Sequence, residues 1–250
     1  TAAFLFFFIG ANRNVAVLSS IPSLHRTFCI PEVFLMKHKS FPFFLILTAA
    51  TMLLLLSAAI AVPILLRPFY YAHAAFLHLP EQTGWSMAQI HEAYNEMLNF
   101  CLFGTPFGTG DLRWSESGMA HFADCAKLFH LDFAVLAVAA VILLISWQCY
   151  RRGLLPVRPM GRGFRFWAGS ILSVSFIVIA LLAALNFDRA FVIFHRLFFP
   201  GKDNWLFDPA TDQIILILPQ VFFRNCAILA VLLLLIACIA LVLSDRKKHR

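Results

Sequence analysis

The chain has 250 residues, of which 61% are apolar and only 13% charged; Phe alone occurs 28 times, and the formal net charge is +7. So little polar surface excludes a soluble globule of this length and describes an integral membrane protein. In that setting the positive charge reports membrane topology and attraction to an anionic inner leaflet, and needs no nucleic acid to explain it.

Residues 1–35 begin at Thr1 and contain one short apolar run, residues 2–9. That run is too short to cross a bilayer. The following Met36-Lys37-His38-Lys39-Ser40 has the form of a natural membrane-protein start. Residues 1–35 are therefore read as a dispensable or foreign extension, and residues 36–250 as a single membrane domain.

A spanning helix needs roughly 20 mainly apolar residues. Four stretches qualify: 41–66, 131–149, 166–185 and 221–243. Lys37 and Lys39 precede the first, and Arg151, Arg152, Arg158, Arg162 and Arg165 fill the loop between the second and third. Arg246, Lys247, Lys248 and Arg250 follow the fourth. Basic residues concentrate on the cytoplasmic side, so both termini are expected there. Segments 67–130 and 186–220 hold Glu81, Glu92, Glu96, Asp111, Glu116, Asp124, Asp188, Asp203, Asp208 and Asp212 and are expected outside. The fold class is thus all-α, four transmembrane helices with a small extracytoplasmic cap lying on the bundle.

Within the cap, Ser86-Met87-Ala88-Gln89 matches a capping box, and Met87, Ile90, Tyr94, Met97 and Cys101 recur at helical spacing. An amphipathic helix over 86–103 follows. Residues 104–110 form a turn-rich loop without the Gly-Lys-Ser/Thr ending of a phosphate loop, which argues against nucleotide binding. Ser117 is then read as the cap of a helix that runs on into the second span and sets His121 and Asp124 one turn apart on one face. A lone histidine on a helix is more often structural than catalytic. Depth alters that balance: His121 lies ten residues before the second span and His195 nine after Asn186. At about 1.5 Å per helical residue, both sit within roughly 15 Å of the same membrane face. Two histidines at one depth can share a site.

Around His195 the chain reads Phe194-His195-Arg196-Leu197-Phe198-Phe199-Pro200, then Trp205-Leu206-Phe207-Asp208-Pro209 and Asp212. A histidine and carboxylates crowded by aromatics at a membrane exit point to proton transfer on an apolar substrate. Other chemistries fit less well. The six cysteines include no Cys-x-x-Cys pair, against a membrane thiol oxidase, and most read as small buried apolar residues. The spans contain no histidine, against a bis-histidine haem bundle. A metal held by His121, His195 and a carboxylate is chemically allowed, but no His-Glu-x-x-His or paired ligand spacing supports it. No Gly-x-Ser-x-Gly marks a hydrolase serine.

Two motifs carry a family resemblance. Gly118-Met119-Ala120-His121-Phe122-Ala123-Asp124-Cys125-Ala126-Lys127-Leu128-Phe129 stands before the second span. Phe194-His195-Arg196-Leu197-Phe198-Phe199, Trp205-Leu206-Phe207-Asp208-Pro209-Ala210-Thr211-Asp212 and Pro219-Gln220-Val221-Phe222-Phe223 precede and enter the fourth. Over residues 36–250 the chain resembles the bacterial lipoprotein intramolecular transacylases. It departs from their pattern at Gly118 and Cys125, where an acidic and an aliphatic residue are expected.

The resemblance implies a multi-pass enzyme of the bacterial cell membrane that works without a cofactor. In that reaction the sn-2 fatty acid of a diacylglyceryl-modified N-terminal cysteine moves to that cysteine's α-amino group, leaving a lyso-form lipoprotein. It also implies that His121 and His195 are the catalytic pair. Physical chemistry agrees: an α-ammonium of pKa near 8 must lose a proton, the departing alkoxide must gain one, and two imidazoles can divide those tasks. Phe194, Phe198, Phe199, Trp205 and Phe207 would hold acyl chains and exclude water, or form an interfacial aromatic belt. Asp124 would orient His121, with Arg196 beside the site. Asp208 and Asp212 would hold the substrate ammonium or brace His195, or instead cap local turns. The different-class alternative is a non-catalytic membrane protein binding lipids or a partner through the aromatic cap.

Overall fold

A computed structural model describes residues 38–245, so the expectations for residues 1–35 and for the basic tail after Asp245 lie outside the described residues. Helix α1 (Phe41–Leu65) starts where the Ser40 hydroxyl accepts a hydrogen bond from the Phe43 N–H, with Pro42 in the first turn. It ends two residues after Pro63, and Leu66 alone separates it from α2 (Arg67–Phe76). Pro68 suits that break, because proline is tolerated in a first turn and disfavours helix in the residue before it. A short α3 (Leu79–Thr83) leads to α4 (Met87–Phe103), whose Ser86–Gln89 capping box is formed as expected. Ile90, Tyr94, Met97 and Cys101 are buried along one face of α4.

Helix α5 (Glu116–Arg151) is continuous from the cap through the second span. Its 36 residues extend about 54 Å at 1.5 Å each, against roughly 30 Å of hydrocarbon. One end therefore projects beyond the span, and its polar first turns lie in the cap. The helix cap is Ser115 rather than the expected Ser117: the Ser115 hydroxyl accepts from the Gly118 N–H at 3.0 Å. Both serines suit the position chemically. Ser115 prevails because a carboxylate distant in sequence anchors it, as described below.

Helix α6 (Phe164–Leu185) is the third span, and it breaks at Asn186 into α7 (Phe187–Phe198). The Asn186 side chain caps α7 by accepting from the Arg189 N–H at 2.9 Å. A one-turn α8 (Ile214–Ile217) precedes α9 (Gln220–Ser244), the fourth span. All four long helices have the length and apolarity to cross a membrane. Helix α1 packs against α5, α6 and α9, and α6 packs against α9. At the last contact Gly169 has no room for a side chain: a Cβ would lie 2.8 Å from the Cys238 carbonyl oxygen. Small residues of this kind let helix backbones approach in a bundle.

At the far end from the cap, β1 (His38–Ser40) pairs in parallel with β2 (Leu154–Pro156), an element the helical periodicity did not reveal. The cap shares its core with the bundle. Tyr70, Ile90, Tyr94, Leu112 and Ile217 pack with Phe122 of α5 and Phe222 of α9. Tyr70 stacks on Tyr94 at 3.7 Å, and its hydroxyl donates to the Ile217 carbonyl at 3.0 Å, joining the two cap segments.

Candidate active site

The N-terminus of α5 is fixed from outside the helix. Asp212, buried, accepts from the Ser115 N–H at 2.8 Å and from its hydroxyl at 2.9 Å. Two turns further on, His121 is only 5% exposed. Gly118 lies between, and a Cβ there would stand 2.9 Å from the Asp212 carboxyl carbon and 3.1 Å from the Phe207 ring. Its departure from the family pattern thus has a local cause: an acidic side chain would collide with Asp212 and repel it.

His195 sits in the last turn of α7 and is 8% exposed. Its Nδ1 lies 2.8 Å from the Phe191 carbonyl. A carbonyl only accepts, so Nδ1 carries the proton and Nε2 keeps its lone pair. Burial holds this imidazole below its ordinary pKa, with the Phe191 carbonyl opposing in part.

The two imidazoles, from helices distant in sequence, face each other with ring centroids 5.9 Å apart. Phe199 packs on His121 at 4.9 Å and on His195 at 5.7 Å. Phe207 meets His121 edge-on at 5.4 Å, and Trp205 stacks on His195 at 4.6 Å. The segment after α7 therefore roofs both rings with aromatic surface. Such a recess excludes water and strengthens electrostatic interaction within it.

Other expected site residues fall elsewhere. Arg196 is exposed, and Phe198 is half-exposed and packs on Phe194 rather than on the imidazoles. Asp208 is exposed and accepts from the Ala210 N–H at 2.9 Å, the local turn weighed as its alternative role. Asp212 serves the α5 cap, and among the described residues its hydrogen bonds go to Ser115 and Thr211 rather than to His195. Asp124 is buried but makes no hydrogen bond to His121. It accepts from Lys202 Nζ at 2.6 Å, Lys127 Nζ at 3.0 Å and Asn204 Nδ2 at 3.3 Å. Lys202 and Asn204 were not found by sequence reasoning, since single polar residues in a loop carry no periodic signal. Cys125, noted only as a departure, places its Sγ 3.5 Å from His121 Nε2. Cys101, Cys125, Cys149, Cys226 and Cys238 are all free thiols. Among the described residues no three His, Cys, Asp or Glu side chains converge in a metal-binding arrangement.

Fold and site together define a helical membrane protein whose cap buries a pair of imidazoles beneath aromatic rings. The chain matches the model of the lipoprotein intramolecular transacylase Lit family over residues 45–223 and belongs to that family. It is accordingly an acyltransferase, and the non-catalytic alternative is set aside. Its fold is also that of the membrane integral lipoprotein intramolecular transacylase Lit from Bacillus cereus. One structure of that protein aligns with a TM-score of 0.71 at 24% identity, covering 80% of this chain and 91% of the other. Two more, carrying a histidine replaced by arginine or by alanine, each align at 0.67 and 23% identity over 80% of this chain. They are covered over 87% and 89% of their own lengths. Among curated protein sequences none matches significantly.

Proposed function

We propose that this protein transfers the sn-2 acyl chain of a diacylglyceryl-modified N-terminal cysteine to that cysteine's α-amino group, with His121 and His195 as the proton carriers. The observation that carries the reading is the buried pair itself, two imidazoles 5.9 Å apart under Phe199, Trp205 and Phe207. One imidazole takes the proton that the amine loses as it attacks the ester carbonyl. The other delivers a proton to the departing glyceryl oxygen as the tetrahedral centre collapses, so that no charge accumulates on either nitrogen or oxygen. His195 offers Nε2 for this work, because its Nδ1 is committed to Phe191.

Attack closes an eight-membered ring: amine nitrogen, Cα, Cβ, sulfur, two glyceryl carbons, ester oxygen and acyl carbon. Orienting that flexible loop is the main catalytic burden. Aromatic walls serve it by holding acyl chains and keeping out the water that would hydrolyse the ester. Donor and acceptor lie in one molecule, so the reaction needs no cofactor. The substrates are diacylglyceryl-modified bacterial lipoproteins presented in the bilayer. The basic Arg151–Arg165 loop supports a topology with the strand pair and both termini in the cytoplasm and the cap outside the cell membrane.

The test supplies the purified full chain with a diacylglyceryl lipopeptide and no other acyl donor. Mass spectrometry with fragmentation should show unchanged mass and one acyl chain relocated from oxygen to nitrogen. An unchanged O-diacyl peptide, or transfer only when phospholipid is added, would overturn the intramolecular reading.

A further inference from the structure

Asp124 is the starting point, because an ionised carboxylate can only accept hydrogen bonds. It receives Lys202 at 2.6 Å and Lys127 at 3.0 Å, and the Asn204 amide nitrogen at 3.3 Å. The contact with Asn204 decides which way that amide is turned: its NH2 faces Asp124 and its carbonyl oxygen faces away. That oxygen is buried and, among the described residues, has no hydrogen-bond partner. His121 Nδ1 is buried without a partner too, and the Asn204 and His121 side chains interact. An acceptor-only oxygen and an imidazole nitrogen are thus left as two orphans in one recess. Buried polar atoms are rarely left unpaired, and such pairs often tighten only when substrate binds.

We infer that Asn204 is a positioning residue for His121: held by Asp124, its amide oxygen accepts the His121 Nδ1–H and leaves Nε2 as the basic nitrogen. The inference rests on the catalytic reading of His121 above. The same tautomer satisfies the other side of the ring, since Nε2 then accepts the Cys125 thiol proton at 3.5 Å. Both histidines thereby hold their proton on Nδ1, one through an amide oxygen and one through the Phe191 carbonyl. Both keep the Nε2 lone pair, which on His121 meets, among the described residues, only the weak Cys125 thiol donor that substrate must displace. Lys202 has a supporting part. Its ammonium neutralises Asp124, so the carboxylate can orient Asn204 without drawing a proton from the imidazole.

Nitrogen-15 NMR of the full-length protein labelled at histidine reads the tautomer directly, with His121 assigned from its absence in His121→Ala. Expected is a protonated Nδ1 and an unprotonated Nε2 in the wild type, and a mixed or inverted pattern in Asn204→Leu. In the lipopeptide assay Asn204→Leu should lower kcat by about 100-fold, the lower end of general acid–base effects, with KM changed little. Asn204→Gln keeps both an NH2 for Asp124 and an acceptor oxygen for His121 and should restore part of kcat. A wild-type His121 protonated at Nε2 would overturn the inference even if Asn204→Leu fails to fold. So would wild-type kcat and tautomer in Asn204→Leu. An active His121→Ala would instead overturn the catalytic reading, and the tautomer measurement would still decide the role of Asn204.

Discussion

Two buried carboxylates tie the roofing loop to helix α5, and they do it differently. Among the described residues Asp212 accepts only from neutral donors, the Ser115 N–H and hydroxyl and the Thr211 hydroxyl. Asp124 is surrounded by cations, with Lys202 and Lys127 both on its oxygens. The first arrangement fixes geometry, since neutral hydrogen bonds in a buried place are directional and costly to lose. The second fixes charge, and its lysines reach largely into solvent, where ion pairs add little stability. One carboxylate is therefore architectural, and the other sets the electrostatics beside His121.

The largest effect should come from forcing a second carboxylate into the Asp212 place. Gly118→Asp collides with Asp212 and Phe207 and should cost about 3 kcal/mol or more, from overpacking and a buried like-charge pair. Thermal unfolding in detergent would register it, and adding Asp212→Ala should recover part of the loss. Asp212→Ala alone leaves the Ser115 N–H unpaired, for about 1–3 kcal/mol. Asp124→Asn should invert that pattern, with little change in melting temperature and a reduced kcat, because an amide at 124 no longer dictates how Asn204 is turned. If Asp124→Asn proves the more destabilising of the two, the division of labour is wrong. Lys127→Ala should be smallest, within about 0.5 kcal/mol, since its ammonium is exposed and Lys202 remains.

Acid tests the His195 side of the recess. Burial favours its neutral form in the folded protein, so on lowering pH the unfolded chain takes up the proton first, from about pH 6.5 downward. This contribution to stability is full above that value and diminishes as pH falls through the window between the unfolded and folded pKa values. The acid limb of the rate profile should correspondingly lie below the ordinary imidazole value. A limb above it would mean that His195 is not held neutral by burial.

The spans were legible because 20-residue apolar runs and basic loops are strong physical signals. The Ser86 capping box was legible because cap and partner are four residues of one motif. His121 and His195 could be brought together by counting residues from the membrane, since helical rise converts sequence distance into depth. Depth says nothing about rotation around a helix, and so Phe198 and Arg196 were expected at a site they do not line. Ser115 was missed because its advantage over Ser117 comes from Asp212, far away in the chain. Asn204 and Lys202 were hidden for a similar reason: their meaning lies entirely in a contact with Asp124 across the recess. The β1–β2 pair is three residues long in each strand, too short for alternation to show.

The central claim is that the two imidazoles act as one unit, and a double-mutant comparison on the lipopeptide reaction tests it most directly. His121→Ala and His195→Ala should each abolish relocation of the acyl chain to nitrogen while the protein remains folded in the membrane. The double variant should be hardly worse than either single, because a unit loses most of its effect at the first deletion. Near wild-type N-acylation by either single variant, or losses that simply multiply in the double, would contradict the account.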